Sequence, residues 1–366
     1  MTTIKSSILR FCISLFIVLN LIIHLDQKAY AVEEFRQIAI QDAGRIKPFD
    51  TFSRETLSLI YGKTSYEGRE AYEIVMTWLL APELWRDKKI FEIRNHDVLK
   101  KLNLSSEQRY FAGTEVFTKN EFQNLMIELK DKRQTKEKLD PFFQAIQRLE
   151  EQMFVFNEIA TGNMIRLIPP TEGTTWLPLS QLTQVQQEKF SELSKAFVNY
   201  VGSLSNEKSD KIVVSKIDLV LAAKAFTEFA RSQNPSLYPQ DVKMKTEVYY
   251  NIAHPFRLAY IVYLIAALIL LFVWITDKNH LMKFGWIFAS VGLFIHTVGF
   301  LIRVYLTGRA PVANMYETVI WVSWGGVLFS MILEKVYRFR LILMIGTIVS
   351  MFSLIVSDFS PAVLDP

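Results

Sequence analysis

Cysteine is nearly absent from this 366-residue chain. The one that occurs, Cys12, lies in an apolar stretch near the N-terminus, so no internal disulfide can form. The same scarcity leaves no CxxC pair for thiol exchange and no CxxCH site for covalent haem attachment. There is no glycine-rich phosphate loop, no HExxH pair and no triad-like cluster, which argues against a conventional soluble enzyme. An excess of one charge is also lacking. Lys and Arg number 41 against 37 Asp and Glu, interspersed along the chain, and the net +4 leaves no nucleic-acid footprint.

What is plentiful is apolar: half of the residues are hydrophobic and 13% are aromatic. Their distribution is uneven. Ile8 to Leu25 is almost free of charge, the next two hundred or so residues carry most of the charges, and from Pro255 onward only short polar loops interrupt apolar runs. Lys5 and Arg10 before the first run, and Ala29-Tyr30-Ala31 after it, fit an export signal; an uncleaved anchor is the alternative. Either sends Val32 onward to the outer side of a membrane.

Four later segments, Arg257 to Ile275, Phe284 to Leu306, Thr318 to Leu333 and Leu341 to Val356, approach the ~20 residues that a helix needs to cross a bilayer, the last two on the short side. Lipid offers a backbone no partners, so each is expected as a helix. Lys278 and Lys283 in the first connection, and Lys335, Arg338 and Arg340 in the third, fall on the same side as Lys5 and Arg10 if the charged domain is outside. The expected class is therefore mainly α: an exported soluble domain followed by a four-helix polytopic membrane domain. The divisions are 1–31 (signal or anchor), 32–254 (extracytoplasmic, mostly helical), 255–357 (membrane) and 358–366 (outward tail). The expected location is the bacterial inner membrane, the large domain on its periplasmic side. Within that domain, turn chemistry followed by helical spacing marks Asp42 to Tyr61, while Ala71 to Leu80, Pro141 to Phe154 and Lys216 to Arg231 are helical in pattern. Arg166 to Leu179, with its prolines and glycine, is an extended insertion.

Between the second and third apolar segments lies GRAPVANMYETVIWVSWG, Gly308 to Gly325. Gly308 can end one helix, Pro311 enforces an extended approach, and Asn314 to Glu317 has the form of a capping box for the next. Capping accounts less readily for Arg303 and Arg309. Trp321 and Trp324 are three apart and share a helix face, either as packing or interfacial rings or as a surface for a flat apolar ligand. His296 falls near the middle of the second apolar segment, where a titratable group is costly enough to mark a functional site. It lies two turns, roughly 10 Å, from Arg303 on the same face. That order suits an axial imidazole below and a guanidinium for propionates above. A histidine hydrogen-bonded to a neighbouring helix is the competing reading.

The stretch GRAPVANMYETVIWVSWG, preceded by HTVGFLIRVYLTG, resembles the G-x-x-P-x-S/A-N-x-Y-E-S/T signature of CcsA/ResC-type cytochrome c assembly membrane proteins of the system II pathway. IQDAGRIKPFDTFSRE and WLLAPELWRDKKIFEIRN resemble the large N-terminal domain that some bacterial members carry. The resemblance implies haem as the cofactor handled, delivery to the outer side, and as partners membrane lipid, apocytochrome c and other assembly subunits. It implies haem contact by His296, Arg303, Arg309, Trp321 and Trp324, with iron at His296, and a structural role for Gly308, Pro311, Asn314, Tyr316 and Glu317. It describes part of an attachment machinery rather than a conventional enzyme. The family's tryptophan-rich W-G-x-x-W-x-W-D segment is not among these residues, so a partner or a longer chain is expected to supply it. Two readings of other classes compete: a membrane transport subunit with His296 as proton relay, and an extracytoplasmic scaffold without haem.

Overall fold

The computed structural model describes residues 32–204, 209–309, 312 and 314–359. The expected signal or anchor, Pro311 and most of the expected tail lie outside the described residues. The chain divides into two compact units, Met1–Met244 and Lys245–Pro366. Helix dominates, and the strands among the described residues form only two-stranded pieces.

The first unit grows from a short helix, α1 (Glu33–Arg36), and an antiparallel hairpin, β1 (Ala39–Asp42) with β2 (Arg45–Pro48). Its two-residue turn needs positive φ twice, supplied by Ala43 at 48° and Gly44 at 80°. Helix α2 (Phe49–Tyr61) follows and stops at left-handed Gly62, and α3 (Ala71–Leu80) has the bounds its pattern predicts. Around Phe35, Phe52, Trp78 and Trp176 these elements bury one core. Inside its edge, the Asp50 carboxylate takes Arg36 and Arg54 at 2.9 Å each, with Arg36 fully buried.

Helices α4 (His96–Lys101), α5 (Gly113–Val116), α6 (Asn120–Gln134) and α7 (Pro141–Ala160) contribute to a second cluster that includes Val98, Phe122, Leu129 and Ile146. The helix expected at Pro141 to Phe154 thus runs longer, starting at an Asp140 cap. The insertion at Arg166 to Leu179 is extended, with an Ile168–Leu177 bridge, and the Gln41 side chain pins it to β1 through Trp176 N at 2.7 Å and Thr174 O at 2.9 Å. Helices α8 (Gln184–Leu204) and α9 (Ser209–Gln233) pack together and add Phe197, Leu219 and Phe226 to the first core.

Helix α10 (Asp241–Ala253) runs into the second unit, where His254 at φ 43° precedes α11 (Pro255–Thr276). Then come α12 (Met282–Thr307), α13 (Met315–Tyr337) and α14 (Ile342–Asp358). Among the described residues, three helical segments, Asp241–Thr276, Asn279–Thr307 and Met315–Tyr337, are long and apolar enough to cross a membrane. The third is not short as expected: polar caps at both ends extend it to 23 residues. The fourth, α14, has 17 residues.

Several physical solutions join these helices. On α12, Gly285, Gly292 and Gly299 let α11 come close; a Cβ on Gly299 would stand 2.8 Å from Pro255. Small polar residues join α13 to α14, where the Ser350 hydroxyl donates to the Ser323 carbonyl at 2.8 Å. The buried Glu334 carboxylate accepts the backbone N–H groups of Arg340 and Ile342 at 2.6 and 3.1 Å, capping α14 from the end of α13. Arg257 and Asp358, 3.0 Å apart, tie α11 to α14. Between α12 and α13 the backbones approach over a shorter length, and large side chains span the interval.

Asp50 offers the sharpest test of the first unit. Removing one partner from a buried ion pair leaves an uncompensated charge, at about 3–5 kcal/mol. Asp50→Ala is expected to destabilise the unit by that order in chemical denaturation, whereas Lys189→Ala, at an exposed pair with Glu192, is expected to change it by about 0–1 kcal/mol.

Candidate functional site

The polar turn between α12 and α13 is built by its own caps. Gly308 takes left-handed φ 66° and donates its N–H to the Val304 carbonyl at 2.9 Å, ending α12. Asn314 is the N-cap of α13, its side-chain oxygen accepting the Glu317 N–H at 2.7 Å. These are the roles that the local pattern predicts for both residues.

Charge explains what capping left over. The Glu317 carboxylate is 2% exposed, and it accepts from Arg303 Nε at 3.3 Å while Arg309 Nη2 stands 3.7 Å away. Arg303 also lies over the Tyr316 ring, 4.7 Å from its centroid. One buried carboxylate therefore holds two guanidinium groups, one from the body of α12 and one from the turn. The local surplus is one positive charge, on the more exposed Arg309.

One turn deeper, rings take over. Trp321 and Trp324 stack at 5.1 Å and 18°, and Phe300 of α12 stacks on them at 5.4 and 6.4 Å. The Trp324 indole N–H donates to Thr297 Oγ1 at 2.9 Å, so its polar edge is satisfied on α12. Trp321 remains 41% exposed. Of the two roles the sequence left open, the structure shows packing: the rings join α13 to α12, with Trp321 partly exposed. Phe300 and Thr297 were not singled out by sequence, although Phe300 sits one helical turn from both His296 and Arg303 and Thr297 directly follows His296.

His296 is placed differently. It is fully buried, with the Tyr263 hydroxyl of α11 at 3.2 Å from Nδ1 and the Phe256 ring edge-on at 5.5 Å. The Ile320 carbonyl of α13 also neighbours the imidazole, but Nε2 has no partner in hydrogen-bond geometry among the described residues. Spacing puts His296 and Arg303 on one face of α12, and they meet different partners: the imidazole Tyr263 of α11 and the Ile320 backbone of α13, the guanidinium Glu317 of α13. Tyr263 is the residue that sequence reasoning missed. Its signal was a hydroxyl-bearing ring within the otherwise apolar run of α11.

Haem, implied by the resemblance, fits these residues unevenly. A surplus cation beside an uncovered aromatic edge suits a flat ring with carboxylate substituents, and the buried, unpartnered Nε2 suits a ligand. That nitrogen faces packed side chains, so it meets a ligand only when the helices around it separate. Among the described residues no cluster of three or more His, Cys, Asp or Glu is arranged for an ion.

The charged latch yields a graded expectation. Glu317→Ala strips the carboxylate from two arginines, one of them largely buried, and is expected to destabilise the helical unit by about 3–5 kcal/mol. Asn314→Ala removes only a cap, at about 1 kcal/mol. Thermal unfolding in detergent is expected to rank Glu317→Ala well below Asn314→Ala.

No protein-family model matches this chain. It is similar to Protein NrfI of Wolinella succinogenes, 23% identical over an alignment of 332 residues that covers 85% of this chain and 35% of that protein. The chain therefore spans about a third of the length of the curated relative it matches, and the aligned stretch takes in most of both structural units.

Proposed function

We propose that this chain is a membrane component of cytochrome c maturation, taking part in haem delivery to c-type cytochromes and their assembly on the outer side of the bacterial inner membrane. The observation that carries the reading is the outer end of the α12–α13 seam, where Arg303, Arg309 and the buried Glu317 lie beside the Phe300–Trp321–Trp324 stack. The similarity to Protein NrfI and the resemblance of Gly308 to Gly325 to the CcsA/ResC-type signature support it.

Haem is cargo in this reading, and the work of the chain is to hold and orient it. Arg309 offers a half-exposed guanidinium to a carboxylate, while Glu317 fixes Arg303 so that the pair keeps its geometry. Trp321 offers a partly exposed aromatic ring for contact with a flat apolar ligand. His296 supplies an imidazole for iron once its surroundings open. Apocytochrome c and further assembly subunits are the partners.

In a complete assembly system lacking its own copy of this chain, the unaltered chain is expected to restore covalent haem staining of c-type cytochromes. Stably expressed His296→Ala is expected to lower that staining, with added imidazole restoring part of it. Normal staining with His296→Ala would remove His296 from the reading.

Orientation is testable separately. Single cysteines in a Cys12→Ser background, probed in intact cells with an impermeant thiol reagent, are expected to label at Arg309→Cys but not at Lys278→Cys or Arg338→Cys. The reverse pattern would turn the chain over.

A further inference from the structure

Two polar groups meet at the centre of the helical unit, and each decides what the other can do. Tyr263 and His296 are both fully buried, 3.2 Å apart between the hydroxyl and Nδ1. The tyrosine ring is held without help from its hydroxyl, because it is pressed on the backbone of α12 where a Cβ on Gly292 would stand 2.6 Å from two of its carbons. Phe256 closes the imidazole edge-on at 5.5 Å. The phenol oxygen is thus a fixed point from which the imidazole is aimed.

A neutral imidazole carries one proton on one of two nitrogens, and a hydroxyl can donate or accept. If the Tyr263 hydroxyl donates to Nδ1, the proton of His296 is on Nε2, and one buried hydrogen is left without a partner in good geometry. If instead Nδ1–H donates to the phenol oxygen, two groups are left over: the phenol hydrogen and the Nε2 lone pair. Unpartnered buried groups are costly, so the first arrangement is favoured, the more so with the Ile320 carbonyl beside the ring to attract an N–H.

We propose that Tyr263 is the positioning residue of His296: at rest it donates to Nδ1 and keeps the imidazole proton on Nε2, and it accepts from Nδ1–H when Nε2 is needed as a lone-pair ligand. The second half rests on the reading of His296 as a haem-iron ligand; the first half does not. Between the two states, water admitted when the helices separate takes the proton from Nε2, returns one to Nδ1 and accepts the phenol hydrogen, so the proton count is unchanged and nothing is oxidised or reduced. In the resting state the ligand nitrogen is capped by its own proton, which keeps the closed bundle from taking up iron or stray metal. In the other state a hydrogen bond from the far nitrogen orients a ligating histidine and raises its basicity, and loss of such a partner typically lowers metal affinity about 10- to 100-fold.

The test uses the full chain in lipid nanodiscs with 15N-labelled histidine, the His296 signals being identified by their loss in His296→Ala. The expected pattern is a proton on Nε2 and a hydrogen-bonded, unprotonated Nδ1. In Tyr263→Phe, which keeps the ring packed on Gly292, the Nδ1 signal is expected to move to that of an unpaired nitrogen while the thermal unfolding temperature stays close to that of the parent. A proton found on Nδ1 at rest, or an Nδ1 signal indifferent to Tyr263→Phe, would overturn the proposal. The same samples are then titrated with haemin and followed by absorbance. An absorbance band present in the parent and lost in His296→Ala establishes the ligand, and Tyr263→Phe is expected to need about 10- to 100-fold more haemin to reach it. Unchanged affinity in Tyr263→Phe would overturn the second half. If the parent shows no His296-dependent band, the ligand reading fails by itself and the nitrogen signals still decide the resting state.

Discussion

The arrangement of the helical unit depends on a buried carboxylate that cannot be left alone. Glu317 sits in the first turn of α13, 2% exposed, and Arg303 is the cation that α12 brings to it. A lone charge at that depth would cost several kcal/mol, so the pair fixes the rotation of both helices about their axes and the level at which they meet. The levels below inherit that register. Phe300 reaches the tryptophans, Thr297 takes the Trp324 indole, and His296 turns toward Tyr263.

Against this, the other helix pairs are held chiefly by closeness, with the Arg257–Asp358 ion pair and the Glu334 cap added to it. Glycines on α12 admit α11 to near-backbone contact, and small residues do the same between α13 and α14. Such interfaces gain from dispersion along their whole length and have little room for adjustment. The α12–α13 seam is of another kind, with ring stacks and one ionic latch across a wider interval. Under the proposed function, a flat ligand that offers rings and carboxylates would meet both kinds of contact at this seam. His296 lies one turn from Phe300 along α12, fully buried and paired with Tyr263.

Much of this was legible in the sequence, and the exceptions have physical causes. The hairpin turn and α2, the bounds of α3 and the extended insertion after Arg166 followed from turn residues and helical spacing, since local chemistry decides them. Helix α6 was missed because only Phe122, Leu125 and Leu129 of its fifteen residues are buried, too few to dominate its charged composition. In the turn, Gly308 and Asn314 were readable as caps. The use of Glu317 was not, since its bonds run to Arg303 across a helix pair and no spacing within one segment announces that. Tyr263 escaped for the same reason: it lies thirty-three residues from His296 and meets it only through tertiary packing.

The measurement that bears most directly on the account is haem content. The full-length chain, purified from its native membrane with its partners retained, is assayed for non-covalent haem by the pyridine haemochrome spectrum, alongside variants carrying Trp321→Leu or Arg309→Gln. The account predicts haem in the parent and a clear fall in both variants, each of which lies at the surface and leaves the Arg303–Glu317 pair intact. Preparations free of haem that still support cytochrome c maturation, or haem retained in full by both variants, would contradict it.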